Sequence, residues 1–479
     1  MEKQFSLKYL TSVVPPMAFI AELERISGKH VITEKEELVP YLRDASYFRG
    51  QFPKAAVLPE SALEISKIMK LCNQYNVPVT VRGGGSSLTG ASVPTNGGLV
   101  IGMSRMNKIL ETRTADGYVI AEAGVTLDDL NSHLFKLGFF YPPDPASSMS
   151  ATVGGTLSTN AGGLRATMYG CTKDWVLGLE VVLPTGEVIK TGGSTLKRTK
   201  GYDFTALVIG SEGTLGIITN AILKIWPLPE TTGRVIAYFR EIRTAGDAIS
   251  ELKSSGTTFY MAEFMDKFSL DSILQTKGLD YPRDAEYLLV LDIASTYESI
   301  DRQLESVEQV LKSFNPVKLA ATRNPDEMRR AYEARKGLYS ASLSLREKPE
   351  EYVIIADIIV PPSSLPATLV EVKDAIRDSG LKVSLFGHLG DGNIHANIFV
   401  DTRVEEHLKK ANDFQMKLGR IALSHGGSVS AEHGIGLEKK QLILEEFRER
   451  NSEITVDLMR RIKSTFDPNH ILNSGKIFD

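Results

Sequence analysis

The segment Leu385–Val400, LFGHLGDGNIHANIFV, constrains this chain more than any other stretch. Apolar residues flank an Asp-Gly pair, and Asp-Gly favours a two-residue hairpin loop because both turn positions want positive φ. With Asp391-Gly392 as that loop, paired positions sum to a constant. Gly390 then faces Asn393, Leu389 faces Ile394, and His388 falls opposite His395. Directly opposed residues hold their Cβ atoms about 5 Å apart on one face of a sheet, so two imidazoles placed this way can share one metal ion. Asn397, two residues on, projects from the same face. A longer loop would change the register. The segment alone therefore leaves open both a metal pair and a hairpin with two incidental histidines.

A second segment, Ser430–Lys440, reads SAEHGIGLEKK. Its Glu432-His433 pair is bounded by Gly426-Gly427 and Gly434, and glycines let backbone approach a ligand closely. Two His plus one Glu is a ligand set for catalytic zinc that keeps one coordination position for water or substrate. On that reading His388, His395 and Glu432 hold the metal, and His433 is free to transfer a proton. Five of the eight histidines lie between positions 388 and 433. The plain alternative is a chance cluster of structural or surface histidines.

The 479 residues suffice for two to three domains. Hydrophobic residues make up 42% and charged residues 24%, the balance of a globular protein with a full core. A net charge of −4 without a basic run excludes a nucleic-acid footprint. Two cysteines, Cys72 and Cys171, exclude a disulfide framework and a four-cysteine iron–sulfur site within the chain. They are expected to be structural thiols in a reducing compartment, which points to the cytoplasm. No apolar stretch approaches the ~18–20 residues needed to span a bilayer. Pro15-Pro16 interrupts the apolar part Leu10–Ile20, and no signal-peptide pattern is present, so the first twenty residues read as an arm or tail.

In the amino-terminal half, residues 61–75 read as a helix, with Ser61 and Glu64 at capping-box spacing. A strand, Pro78–Arg82, leads into the loop RGGGSSLTG, Arg82–Gly90. Such a loop exposes several backbone N–H groups to one point, a nest for phosphate oxygens. No G-x-G-x-x-G and no G-x-x-x-x-G-K-[ST] occurs, so a pyrophosphate held here implies neither a Rossmann fold nor a P-loop. Two further segments have the same character. Pro142–Gly170 is dense in Gly, Ser, Thr and Pro and poor in charge, and Val208–Thr219 sets Gly-Ser-Glu-Gly between two apolar strands.

These three segments, in this order, resemble the vanillyl-alcohol-oxidase-type FAD-binding domain. The second half, with GHLGDGNIH and AEHGIG, resembles the FAD-linked oxidase C-terminal domain. From about residue 25 to Asp479 the chain is similar to the FAD-linked D-2-hydroxyacid dehydrogenases: D-lactate dehydrogenase, the glycolate oxidase FAD subunit and D-2-hydroxyglutarate dehydrogenase. The resemblance implies an α+β fold. Residues 1–226 would form a two-lobed FAD-binding domain, to which 446–479 return. Residues 227–445 would form an α+β cap, with strands near Phe259–Phe264, Tyr287–Ala294, Val353–Val360, Ser384–His388 and Ile394–Val400.

The resemblance also assigns residues. Arg82, Gly83, Gly84, Gly85, Ser86, Ser87 and Thr89 would hold the FAD pyrophosphate. Pro145, Ser147, Val153, Gly154, Gly155, Ser158, Asn160, Gly162, Gly163 and Gly170 form the second cofactor segment. Glu212, Gly213 and Ile217 fall near ribose and adenine, with Asn473 and Lys476 near the flavin. Some flavoproteins of this fold attach FAD through a His in the first loop; Ser86 stands in that region, so FAD is expected to be non-covalent. In the resembling dehydrogenases the positions of His388, His395 and Glu432 bind a divalent metal, expected here to be zinc, with His433 as the base and Asn397 as a substrate contact. A helix is expected over Pro325–Leu345, with Asn324 as N-cap, Pro325 first and Glu327 three residues after the cap. It puts Tyr332, Arg335 and Tyr339 on one face, and Arg335 matches the family's substrate-carboxylate arginine.

One position departs from the pattern. The 2-hydroxyglutarate enzymes carry a Lys where this chain has Ile355, in YVIIADIIVP, which favours a smaller acid such as lactate. The implied reaction is oxidation of a D-2-hydroxy acid, D-lactate favoured, to the 2-oxo acid. Electrons would leave to an electron-transfer flavoprotein, iron–sulfur subunit, cytochrome or quinone. A homo-oligomer or complex subunit, with peripheral membrane association, fits such a role. Two rivals are an electron-relay flavoprotein subunit, a class that tends to lack the metal hairpin, and an alkyl-dihydroxyacetone-phosphate synthase, which needs a phosphate site and a lipid tunnel.

Overall fold

The computed structural model describes residues 17–277, 281–348 and 350–478. Most of the expected amino-terminal arm lies outside these residues. Its last part opens the helix Met17–Ser27, which buries Phe19 and Leu23 against the helix Ala62–Tyr75. The second helix begins as its sequence requires, with the Ser61 hydroxyl accepting the Glu64 N–H at 3.2 Å. It ends on Asn76 in the left-handed region. Ile65, Ile68, Met69 and Cys72 form its buried stripe.

Beside this helix lies a four-stranded sheet in the order Val31–Ile32, Ala55–Val57, Leu99–Gly102, Val79–Arg82. Its last three strands are parallel, and the two fully buried ones, AAV and LVIG, run apolar rather than alternating. The carboxy-terminal tail joins this sheet: the Val79 N–H donates to the Ile471 carbonyl and the Asn473 N–H to the Val79 carbonyl, both at 2.7 Å. A second, antiparallel sheet of five strands follows, ordered Ile109–Arg113, Tyr118–Glu122, Ile217–Lys224, Val176–Val182, Val188–Gly192. The short helix Val153–Thr159, capped by Thr152, packs on it.

The third sheet is antiparallel and has seven strands: Lys318–Thr322, Thr231–Phe239, Tyr287–Ser295, Met261–Asp266, Lys382–His388, Asn393–Asp401 and Glu351–Ile359, in that order. Five of these match the expected strands to within a few residues. The other two had no clear sequence signature. Thr231–Phe239 carries Gly233 and Arg234, which spoil its alternation. Arg234 is buried because Asp292 on the neighbouring strand takes its guanidinium bidentately at 2.6 and 2.7 Å. Lys318–Thr322 is a short, half-exposed edge.

One face of this sheet packs on helices Ile242–Ser254, Ile300–Lys312, Leu365–Ser379 and Glu405–Ser424. The alternate residues, among them Glu263, His388, His395 and Asp357, point the other way. The helix expected over Pro325–Leu345 is two helices, Pro325–Lys336 and Leu338–Ser344, broken at Gly337. Glycine is the weakest helix former after proline, and here it lets the chain turn between Arg335 and Tyr339. The Asn324 side chain caps the first helix as expected, accepting the N–H groups of Asp326 and Glu327. Among the described residues no helix is long and apolar enough to cross a membrane.

Candidate active site

The hairpin forms, with a different register. A two-residue type I′ loop needs positive φ at both Asp391 and Gly392, and only Gly392 has it, at +94°. The turn instead takes Leu389–Gly392. The Asp391 N–H donates to the His388 carbonyl, the Gly392 N–H to that of Leu389, and the Asp391 carboxylate accepts the Asn393 N–H. His395 therefore lies opposite Phe386, not His388. The register error is two residues, and side chains alternate with period two, so both histidines stay on one face. They meet diagonally, ring centroids 5.3 Å apart.

Three imidazoles converge on one carboxylate oxygen. Glu432 Oε1 lies 3.5 Å from His388 Nε2, 3.2 Å from His395 Nε2 and 3.5 Å from His433 Nε2. One ligand atom each from His388, His395 and Glu432 falls within 4.8 Å of the others. Behind each ring stands a second carboxylate. His388 Nδ1 donates to Glu263 at 2.5 Å, and its Nε2 faces Glu432. His395 Nδ1 and His433 Nδ1 face the two oxygens of Asp357 at 3.6 and 3.8 Å. Burial pushes His395 down to about 4. Burial also opposes charge on His388, but the carboxylates of Glu263 and Glu432 prevail and hold it well above its ordinary value.

Asp357 shapes the loop as well. A single oxygen, Oδ2, accepts the consecutive backbone N–H groups of Ala431, Glu432 and His433 at 3.0–3.1 Å. Lys439 Nζ, itself buried, supplies the countercharge at 3.2 Å. Despite full burial, Lys439, His433 and His395 hold this carboxyl far below the usual range. Glu263 reaches to the other side: its Oε2 lies 2.5 Å from Arg335 Nε. The Arg335 guanidinium rests over the Phe386 ring, and its buried Nη2 has no hydrogen-bond partner among the described residues.

A cavity of about 520 Å³ connects this cluster to the glycine loop, within the ~300–1,000 Å³ range of small-molecule and cofactor sites. Its far wall is Gly83–Leu88, Pro145–Thr152 in part, Gly154–Thr156 and the Glu212–Ile218 region. Its near wall is Arg335, Tyr339, Ile355, Phe386 and the histidines. The loop closes tightly on the second segment: a Cβ on Gly84 would sit 1.7 Å from the Ser150 carbonyl oxygen.

Residues 53–192 match the FAD binding domain, and residues 228–477 match the C-terminal domain of FAD linked oxidases. The second match alone spans half of the chain. The chain belongs to the FAD-linked oxidase family. The glycolate oxidase subunit GlcD of Bacillus subtilis is 35% identical over 438 residues, covering 91% of this FAD-linked oxidase and 92% of the relative. A D-lactate dehydrogenase of Anaerostipes hadrus is 33% identical over 474 residues, with 97% and 98% covered. The solved p-cresol methylhydroxylase superimposes with a TM-score of 0.78 at 18% identity over 96% of both chains, which places the fold in the vanillyl-alcohol-oxidase type. The protein is thus an FAD-linked oxidoreductase with an α+β fold.

Of the residues expected at the cofactor, this oxidase brings Gly83, Gly84, Gly85, Ser86, Ser87, Pro145, Ser147, Gly154, Gly155, Ser158, Glu212, Gly213, Ile217 and Asn473 to the cavity wall. Others stand behind it. Arg82 donates to the Arg43 carbonyl and braces the loop from outside. Thr89 is buried and donates to the His433 carbonyl at 3.3 Å. Val153 is core, and Asn160 ends its helix in the left-handed region. Gly163 and Gly170 turn the chain with φ of +140° and +74°. Gly162 makes room for the Glu432 carboxylate, since a Cβ there would lie 2.9 Å from Glu432 Oε2. Lys476 is buried, donating to the carbonyls of Gly90 and Val93.

Arg335, His388, His395, Glu432 and His433 share the cavity, while Asn397 is buried beside it, donating to Ser342 Oγ at 3.2 Å. Sequence reasoning missed Glu263, Asp357 and Lys439. A signal existed for the two acids. Asp357 is alone in the apolar run YVIIADIIV, and Glu263 sits mid-strand in MAEFMD with only the terminal Asp266 for company; an acid in such a strand is buried only if paired.

Proposed function

We propose that this FAD-linked oxidoreductase oxidises a D-2-hydroxy monocarboxylate, D-lactate favoured, to the 2-oxo acid and passes the electrons to an external acceptor. The observation that carries the reading is the meeting, in one cavity, of a glycine-lined cofactor wall with Arg335 and the His388, His395, His433 and Glu432 cluster. Two imidazole nitrogens and a carboxylate oxygen within 4.8 Å, each imidazole backed by an acid, suit a divalent ion such as zinc. When bound at His388, His395 and Glu432, such an ion supplies Lewis-acid polarisation of the substrate hydroxyl. FAD along the glycine-lined wall supplies the hydride acceptor.

The chain's own residues do the rest. Arg335 captures the substrate carboxylate with the donors its pairing to Glu263 leaves over, as a planar fork suited to that geometry. His433 takes the hydroxyl proton at Nε2, and Asp357 behind Nδ1 orients the ring. Ile355, Tyr339 and Phe386 give the same end of the cavity an apolar wall. Lys336 also lines the cavity, but its ammonium is engaged by Ser148 at 2.6 Å and lies near Asp144 and Asp128. Arg335 and Lys336 are the only Lys or Arg among the described residues lining the cavity, so none is left over for a second carboxylate. An unpaired buried charge costs several kcal/mol, so kcat/KM for D-lactate should exceed that for D-2-hydroxyglutarate by about 100-fold or more. Anaerobic flavin bleaching with D-lactate, L-lactate, glycolate, D-2-hydroxybutyrate and D-2-hydroxyglutarate tests this; a preference for hydroxyglutarate or for L-lactate refutes it.

Two further outcomes are expected. FAD should be non-covalent, because no His replaces Ser86; acid precipitation should leave the yellow colour in the supernatant. His388→Ala should lose bound zinc, measured by elemental analysis, while keeping FAD. Full zinc occupancy in that variant would sink the ligand assignment.

A further inference from the structure

The loop carrying Glu432 and His433 is held by both halves of the molecule. Asp357 of the seven-stranded sheet takes its first three amides, as described above. Two more are taken from the opposite side: Glu212 accepts the Ile435 N–H at 2.7 Å on Oε1 and the Gly436 N–H at 2.8 Å on Oε2. Five backbone donors within six residues thus end on two buried carboxylates, and hydrogen bonds to a charged acceptor are the stronger kind. The glycine loop adds Thr89, whose hydroxyl donates to the His433 carbonyl and whose own carbonyl accepts the Leu437 N–H at 2.8 Å. Gly162 of the second cofactor segment lies against Glu432. All three segments that build the cofactor wall therefore touch this loop.

Glu212 itself sits in a turn with φ of +51°, followed by Gly213 at +70°. A non-glycine residue holds that conformation only where its surroundings over-determine it. Asn473 does part of this, its amide donating to the carbonyls of Glu212 and Ala91. The turn also lines the cavity that the cofactor enters. Its two carboxylate oxygens are already occupied by the loop, so it meets the cofactor from one side and orders Glu432 and His433 on the other.

We infer that Glu212 is a positioning residue for the Glu432–His433 loop, and that through it the binding of FAD and of a divalent ion at His388, His395 and Glu432 is coupled. The inference rests on the metal reading proposed above. Coupling between two binding sites is reciprocal, and factors of about 5–150 are usual. A bound ion that orders the loop therefore slows release of FAD.

The test uses FAD-loaded protein, either zinc-loaded or stripped with EDTA, and follows flavin fluorescence as FAD dissociates after dilution. The wild type should release FAD at least about 5-fold faster without zinc. Glu212→Gln keeps the volume but sets an amide NH2 against a backbone N–H, donor against donor. In that variant the release rate should no longer depend on zinc, and zinc affinity, from competition with a chromophoric chelator, should fall about 10-fold. Should the variant fail to fold by circular dichroism, the wild-type comparison still decides. Zinc bound stoichiometrically by the wild type with no effect on FAD release overturns the coupling and leaves the metal reading standing. Wild-type zinc dependence persisting in Glu212→Gln overturns the role of Glu212. Absence of zinc binding in the wild type overturns both.

Discussion

His433→Ala should lower the rate of flavin reduction by about 10²–10⁴, the range for losing a general base, with little change in substrate affinity. His433 Nε2 lines the cavity, 3.5 Å from Glu432 Oε1, and the ring stacks on His395 at 5.0 Å between centroids. Its backbone N–H, not its ring, makes the short contact to Asp357. Truncation to alanine therefore removes the proposed proton acceptor while the loop keeps its amide anchors. His388, His395 and Glu432 all remain. Stopped-flow reduction under anaerobic conditions separates the rate at saturation from the substrate concentration that half-saturates it. A variant reduced at the wild-type rate would leave the base unassigned, and a variant that only weakens binding would move His433 from chemistry to recognition.

Asp357→Asn should be the most damaging single change to stability. The carboxylate is fully buried and is the countercharge of the buried Lys439. Removing one partner of such a pair leaves an uncompensated charge, at a cost of roughly 3–5 kcal/mol. One asparagine oxygen also replaces the charged acceptor for three consecutive amides, so the Glu432–His433 loop should loosen at once. Urea unfolding measures the first effect and zinc content the second. The double variant Asp357→Asn, Lys439→Met removes the stranded ammonium and should recover part of the stability but not the zinc. Stability of Asp357→Asn within about 1 kcal/mol of wild type, the size of an ordinary substitution, would show that the pair is not the anchor described here.

The features legible in the sequence are those set by neighbours along the chain. The helix over 61–75 follows from its cap and its apolar stripe, and the glycine loop from residues that leave backbone N–H groups uncovered. That His388 and His395 share a face follows from strand alternation, which survived a register error of two. The local pattern with its long motifs also sufficed for the family. What it left undecided depends on contacts between distant segments. The hairpin turn took four residues because Asp391 keeps an ordinary φ and its side chain bonds Asn393. Composition favours an Asp-Gly turn but does not impose it. Glu263 reads as an acid in an apolar strand with no partner in view until the sheet order sets it between His388 and Arg335. Asp357 and Glu212 look like an isolated acid and a cofactor contact until the loop at 431–436 folds onto both. A buried carboxylate must find donors, and in this chain they come from backbone amides 74 to 76 residues away for Asp357 and 223 to 224 for Glu212. No local pattern carries that information, because the desolvation that demands the partner exists only once the two halves have closed around the cavity.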